Sequence, residues 1–492
     1  MNSTGQDDGI AGLSQEQIDA GKNKAQDYEE EDRISKLPDD ILVDILDRIP
    51  RSEAVRTCVL SKRWRHLIDI HSVIILSVAQ YLPADSSMIC TLDDLERANA
   101  SLVKATERIL GKKSQSTIRH LGITFYLTDE SIDIVRAMDK AMAHREVADA
   151  KFNIMAEMVD KYCTDYDMLT YGRRFMTLFK AFPRAFSGLT DLRIHSLRLG
   201  EADIPNVLNA CKKLKNLRLQ NCDAGIRSVL QIEHSQLDEL SITACDFETI
   251  ELNWLPKLTH LTCRSWLPSQ DNYPLTFGYV PQLRFLILSN IGSTIHKIFK
   301  LSEFLANVNN IKALELNFLC EKIWIQPEAP RILAPMFQKL QVVSLRYIHE
   351  QFDLTWTMFF LEAAPHLREL YIQVWEHTCY SSEEEPDERW EQILQKTSDH
   401  LNWEAHDGSK HYNLRTLAIE GFEVQQKFTG YIKLVVEAAV NLKVLSLLES
   451  GPCPRCQFQP KTSYPRTNKE RDLLVKQILG WRASPIKIEI RG

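Results

Sequence analysis

Between residues 33 and 70 the apolar positions fall at 41, 42, 45, 46 and 49, which is one face of a helical period. Pro38 suits the first turn of such a helix, where a missing N–H costs little. Asp39 and Asp40 favour the positive end of its dipole. Pro50 stops it, because proline pushes the preceding residue out of the α region. A short second helix is expected over Glu53 to Cys58. A third begins at Ser61, a good N-cap, and carries Lys62-Arg63-Trp64-Arg65-His66-Leu67. Three short helices make a very small core, marginal without a partner or a neighbouring domain.

From residue 118 onward a different template recurs, x-L-x-x-L-x-L. It is met at Ile118-Leu121-Ile123, Leu189-Leu192-Ile194, Leu214-Leu217-Leu219, Leu237-Leu240-Ile242, Leu258-Leu261-Cys263 and Leu283-Leu286-Leu288. It continues at Ile311-Leu314-Leu316, Leu340-Val343-Leu345, Leu367-Leu370-Ile372, Leu414-Leu417-Ile419 and Leu442-Leu445-Leu447. Most starts lie 21 to 29 residues apart, the period of leucine-rich repeats. Many share a polar or proline lead-in, as in Pro256-Lys257-Leu258 and Pro365-His366-Leu367, and Cys222 and Cys245 stand where the repeat wants Asn or Cys. In Leu217-x-Leu219 a strand turns both leucines inward and Arg218 outward. One repeat has only a small apolar face, so stacked repeats bury those faces as one cooperative body.

The period breaks twice. Residues 118 to 189 contain Ile134, Met138 and Met142 at helical spacing, and a helical insertion is expected near 129–180 with the methionines in its core. Residues 367 to 414 contain Glu383-Glu384-Glu385-Pro386-Asp387, which reads as a solvated loop; nothing gives it calcium-loop spacing. Outward strand positions line the concave sheet, the usual binding surface of solenoids. The candidates for holding a substrate are Arg218, Glu239, His260, Phe285, Glu315, Arg346 and Tyr371, with Ser241 and Gln373 beside them. Their mixed chemistry names no ligand class. Phe285, Trp254, Trp324 and Trp375 are expected to be core or packing residues rather than ligand stackers.

Composition sharpens this picture. The 492 residues are 44% hydrophobic and 25% charged, ordinary for globular proteins. Residues 1–32 hold nine acidic residues against two lysines, a net −7 that equals the charge of the whole chain. That segment is expected to be a disordered acidic tail. Residues 33–492 are therefore neutral, which argues against nucleic acid as the main partner. The densest apolar run, Val73 to Ala79, is too short for a membrane helix, so no membrane role is expected. The polar start has no signal-peptide character, and cytosol or nucleus is the compartment expected. The eleven cysteines then read as buried, inert thiols.

Catalytic signatures are absent. There is no phosphate-binding G-x-x-x-x-G-K-[ST], no G-x-S-x-G and no H-E-x-x-H; His349-Glu350-Gln351-Phe352-Asp353 fails at its last position. Cys453-Pro454-Arg455-Cys456 lacks the second ligand pair of a structural zinc site and reads as a turn with two thiols. No cofactor, metal or enzymatic activity is expected.

The combination Leu37-Pro38, Ile41, Leu42, Ile45, Leu46, Ile49-Pro50 and Val59-Leu60-Ser61-Lys62-Arg63-Trp64-Arg65 resembles the F-box. The stretch His411 to Phe422, the helix-like Tyr431 to Val440, Asn441 to Leu445 and the closing Tyr464 to Arg471 resemble the FBD module of plant F-box proteins. The fold implied is α/β: a three-helix F-box over 33–72, an irregular leucine-rich-repeat solenoid over 73–400 with one strand plus helix or loop per repeat, and FBD-like repeats over 401–492. The function implied is a substrate-recognition adaptor of a Skp–cullin–F-box ubiquitin ligase. The F-box would dock a Skp-type subunit and through it a cullin–RING ligase, and the repeats would hold a protein substrate. The docking residues implied are Leu37, Pro38, Ile41, Leu42, Ile45, Leu46, Ile49, Pro50, Leu60 and Trp64. Some of these must pack the F-box itself, and the sequence does not divide them; Trp64 is the residue type of an interface hot spot. Two alternatives share the architecture: a scaffold that binds Skp without directing ubiquitination, and a small-molecule receptor. The receptor needs a basic floor under the repeats, and no clustered Arg/Lys run demands one.

Overall fold

The computed structural model describes residues 33–34, 36–49, 51–69, 72–83, 91–111, 117–158, 163–265, 273–290, 298–376, 401, 403, 409–453, 458, 463–480 and 486–491. The expected tail over 1–32, the acidic run 383–387, Pro50 and Cys456 lie outside the described residues. Two compact units divide the chain at Ser72/Val73.

The first unit is built from helices Asp39–Asp47, Arg51–Arg56 and Lys62–Asp69, with a 3-10 turn at Thr57–Val59. Leu42, Leu46, Ala54, Trp64 and Leu67 form its core, and Leu37, Val43, Ile49 and Cys58 pack against it half-buried. Ser61 caps the third helix, its Oγ accepting from the Trp64 N–H at 3.3 Å. Arg63 draws that helix to the start of the first, donating to Asp39 at 2.7 Å and to the Leu37 carbonyl at 2.6 Å.

The second unit is a 14-stranded sheet in which every pairing is parallel. The strands start at Val73–Ser77 and end at Lys487–Arg491, joined by helices or loops. Register aligns the leucines: Leu192, Leu217, Leu240, Leu261, Leu286, Leu314, Val343, Leu370, Leu417 and Leu445 stand side by side, all buried.

A backbone ladder sets that register. From strand Asp191–His195 to strand Thr416–Glu420 of the main sheet, the carbonyl one residue before the strand accepts two N–H groups from the next repeat. Thr259 O takes Arg284 and Phe285 N–H at 3.0 Å each, Arg284 O takes Lys312 and Ala313 at 2.7 and 3.0 Å, and Arg368 O takes Arg415 and Thr416 at 2.8 and 3.0 Å. At the other end of the strands the chain turns through the left-handed region, at Ser196, Asn221, Ala244, Ser265 and Gly421. These turns keep the pairing intact: the Ser196, Asn221 and Ala244 N–H groups each reach the next repeat's carbonyl at 2.9 Å. At Gly421 the conformation (φ 76°) is compounded by crowding, since a Cβ would sit 2.1 Å from the Val374 carbonyl oxygen. Gly172 in helix Asp165–Ala181 likewise lets the helix close on the Arg198 backbone.

The stretch near 129–180 holds two helices, Ser131–His144 and Asp165–Ala181, and between them a strand that the sequence pattern did not show. Strand Val147–Met155 lies in the main sheet between Ile118–Tyr126 and Asp191–His195, flanked by helices Ser131–His144 and Asp165–Ala181. Its inward side chains are Val147, Ala150, Phe152 and Ile154, which satisfy the repeat's geometry without a leucine. Strand Thr416–Glu420 pairs directly with Glu369–Trp375, so the strands on either side of residue 400 share one sheet. Trp324 and Trp375 are buried as expected, whereas Trp254 is 47% exposed on a separate three-stranded sheet made by Val229–Glu233, Thr249–Trp254 and Leu275–Tyr279.

Two buried histidines clasp neighbouring segments. His234 Nε2 donates to the Cys211 carbonyl at 3.0 Å while its Nδ1 accepts the Gln236 N–H at 3.2 Å. His411 repeats the arrangement with the Ala364 carbonyl and the Leu414 N–H, both at 3.0 Å. Both rings are thus held neutral, and burial pushes their pKa values down. Burial, with Lys427 nearby, pushes His349 down to about 4.

Gly421→Ala is expected to cost at least about 2 kcal/mol, from the left-handed backbone and the carbonyl clash together; urea denaturation measures it, and an unshifted midpoint contradicts the turn's role. The histidines predict acid sensitivity. Their folded pKa values lie below the unfolded 6.5, so the unfolded chain binds more protons between the two. Stability is full above pH 6.5 and falls as pH drops towards 4, with His349 contributing about 3 kcal/mol. Melting curves over that range check it, and His349→Gln should flatten the slope.

Candidate functional site

The ten implied docking residues separate by burial. Leu42, Leu46 and Trp64 are 0%, 1% and 5% exposed and belong to the core of the first unit. They are the members of the ten that pack the unit itself, Trp64 included, a division the sequence left open. Leu37 and Ile49 are half-buried on the same core, and Pro38 is exposed. Ile41, Ile45 and Leu60 remain 44%, 40% and 64% exposed. Ile41 and Ile45 are one helical turn apart, on a stripe about 100° round the helix from Leu42 and Leu46. Ile34, Val55 and Val59 are also open to solvent, Val59 at 85%. None of these three is among the ten implied docking residues. The signal was present in Val59-Leu60, an apolar pair in a short turn that cannot bury both. A unit of this size exposing so many large aliphatic side chains carries an unsatisfied apolar surface.

The seven candidates on the repeats all occupy the outward face of the main sheet. Glu239, His260 and Phe285 stand in consecutive register on one row. The His260 and Phe285 rings stack, 4.3 Å between centroids and 5° between planes. Arg218 pairs with Glu239 at 3.5 Å. Glu315 lies between two guanidiniums, Arg346 at 3.8 Å and Arg264 at 3.6 Å; Arg264 was not among the candidates. Tyr371 donates its hydroxyl to Glu369 at 2.8 Å, and Gln373 donates to Glu420 at 2.9 Å. The sheet thus brings the candidates onto one surface, and its charges there are largely satisfied among themselves.

The described thiols pack in or against the core. Cys211 and Cys263 are pushed up to about 12 by burial, and Cys245 is raised as well. Cys453 packs with Cys320 and Trp375. Among the described residues no group of three His, Cys, Asp or Glu side chains could hold a metal ion, and no helix is long and apolar enough to cross a membrane.

Residues 34–76 match the F-box domain, and residues 180–476 match the At1g61320/AtMIF1 LRR domain, more than half of the chain. The chain belongs to the At1g61320/AtMIF1 LRR family. Similar proteins are those of F-box/LRR type from Arabidopsis thaliana. F-box protein At3g60790 is 27% identical over 50% of this chain and 51% of its own length. Putative F-box protein At3g58860 is 23% identical over 72% and 76% respectively. F-box/FBD/LRR-repeat protein At5g22660 is 24% identical over 58% and 60%. The chain thus spans about half the length of the first of these relatives. In this F-box/LRR chain the parallel-stranded solenoid and the three-helix unit are the two parts the matches name.

The division of the F-box residues gives opposite expectations for two leucine- and tryptophan-bearing positions. Trp64→Ala should destabilise the first unit by about 3–5 kcal/mol and speed amide hydrogen exchange across residues 39–69. Leu60→Ala should leave that exchange unchanged. Equal protection in both variants would contradict the core placement of Trp64.

Proposed function

We propose that the chain is a substrate-recognition adaptor of a Skp–cullin–F-box ubiquitin ligase. The observation that carries this reading is the exposed apolar set Ile41, Ile45, Val59 and Leu60 on a helical unit whose own core is already filled by Leu42, Leu46 and Trp64. Such a surface suits a Skp-type subunit, which would bury it, and that subunit would recruit a cullin–RING ligase. The F-box match and the F-box relatives support the docking, and a solenoid on the same chain supports capture of a protein substrate on its outward face. The adaptor performs no bond chemistry. It raises the effective concentration of a substrate lysine near the charged conjugating enzyme. No metal or cofactor enters this role, and cytosol or nucleus is its compartment. The C-terminal strands from Thr416 onward correspond to the FBD-like stretch, a reading supported by the name of the relative At5g22660.

The test is co-purification of Skp and cullin with the wild type and with an Ile41→Asp/Ile45→Asp/Leu60→Asp variant. These three side chains lie outside the core, so the variant should stay folded. Recovery of both proteins with the wild type, reduced at least tenfold by the variant, is the expected outcome. Recovery of neither from folded wild type would overturn the ligase reading and leave an interaction scaffold. Recovery of Skp without cullin would point to the same scaffold.

A further inference from the structure

The backbone ladder that precedes the strands also sorts charge. Between the fourth and last of its rungs it carries Arg284, Lys312, Gln341, Arg368, Arg415 and Lys443, each bonded through the backbone to the next. Five of these six are cations and none is acidic. In sequence they are dispersed, one behind the first leucine of each repeat, so no basic run is visible. Stacking gathers them into a line about 24 Å long, at about 4.8 Å per strand. Arg284, Arg368 and Lys443 are exposed, and Lys312 and Arg415 half-exposed.

On the outward face of the main sheet cations meet acids. Arg218 faces Glu239, Arg264 and Arg346 share Glu315, and Lys487 and Arg491 flank Glu489. Among the described residues none of the five ladder cations has an acidic partner; Arg284 reaches only Gln282, and Arg415 the Asn441 carbonyl. Like charges on adjacent strands cost stability, so this line stays uncompensated at a price. The neighbouring outward row, Phe285, Ala313, Val342, Glu369, Thr416 and Val444, is mostly apolar with Glu369 as its one acid.

We propose that this basic ladder and its apolar flank bind an acidic, extended segment of a protein partner. Acidic side chains face the ladder and interleaved apolar side chains lie on the neighbouring row. The proposal rests on the adaptor reading for the partner being a substrate. A protein is favoured over nucleic acid because residues 33–492 are neutral overall and the line is one cation wide, whereas phosphate backbones demand a broad cationic surplus.

The test uses the full chain and a fluorescein-labelled 14-residue peptide with glutamate at alternate positions and valine or serine between. Its counterpart has glutamine for glutamate, and a 14-nucleotide single strand stands for nucleic acid. Anisotropy titrations compare wild type, Arg284→Glu/Arg368→Glu/Lys443→Glu, and the control Lys104→Glu/Arg108→Glu/Lys140→Glu on helices Leu92–Leu110 and Ser131–His144. The acidic peptide should bind wild type and control at least tenfold more tightly than it binds the ladder variant, with a steeper salt dependence. The glutamine peptide should bind weakly to all three. Equal binding by a ladder variant with unchanged melting, an equal loss in the control, no binding to wild type, or tighter binding of the oligonucleotide would overturn the proposal. Skp recovery is measured on the same three chains. Its absence from all of them overturns the adaptor reading while the peptide result stands on its own; its retention beside lost peptide binding supports both.

Discussion

The structure depends on a carbonyl that serves two donors. One residue ahead of the strand, from Asp191–His195 to Thr416–Glu420, a backbone oxygen accepts paired N–H groups from the next repeat, as Gln341 does for Arg368 at 2.7 Å and Glu369 at 3.1 Å. This bond pair fixes the register before the strand begins. Side chains alternate with a period of two, so a slip of one residue would turn every leucine outward. With the register fixed, each inward row is a continuous stack, and repeats too small to fold alone share one core. The left-handed turns at the far ends of the strands follow from the same constraint. They redirect the chain without breaking the pairing, and Ser196, Asn221, Ala244 and Ser265 accept a conformation that glycine would adopt more easily.

Buried polar groups in this solenoid serve the fold. His234 and His411 each use both ring nitrogens on backbone partners from other segments, so an unpaired donor and acceptor are satisfied at once. The Arg198 guanidinium does similar work nearer the surface. It grips Asp223 through Nε at 2.6 Å and Nη2 at 2.9 Å and reaches Asp165 at 3.0 Å, tying helix Asp165–Ala181 to the loops that follow two strands. The raised pKa values of Cys211, Cys245 and Cys263 fit packing rather than reactivity.

The first unit solves a different problem. Its five core residues cannot cover the aliphatic side chains that three short helices supply, so Ile41, Ile45, Val59 and Leu60 stay in water. A large repeat body can neutralise or bury most of what it carries. The small unit cannot, and the surplus is what makes it suited to a partner.

Much was legible in the residues alone. The leucine template, the strand alternation and the Leu-Pro to Trp-Arg helical pattern are local periodicities, and a local periodicity survives in the sequence unchanged. Those features determined the three-helix unit, the repeat solenoid and the outward placement of Arg218, Glu239, His260 and Phe285. Strand Val147–Met155 was hidden because Ala150, Phe152 and Ile154 fill leucine positions, and shape rather than residue type is what the stack requires. Tertiary structure alone decided which side of the first helix faces Trp64, which assigned Leu42 and Leu46 to the core and left Ile41 and Ile45 outside. It also brought Arg284, Lys312, Arg368, Arg415 and Lys443 into one line. Neighbours in that line are separated by 28 to 56 residues in the chain, and the hydrogen-bonded register between repeats brings them together.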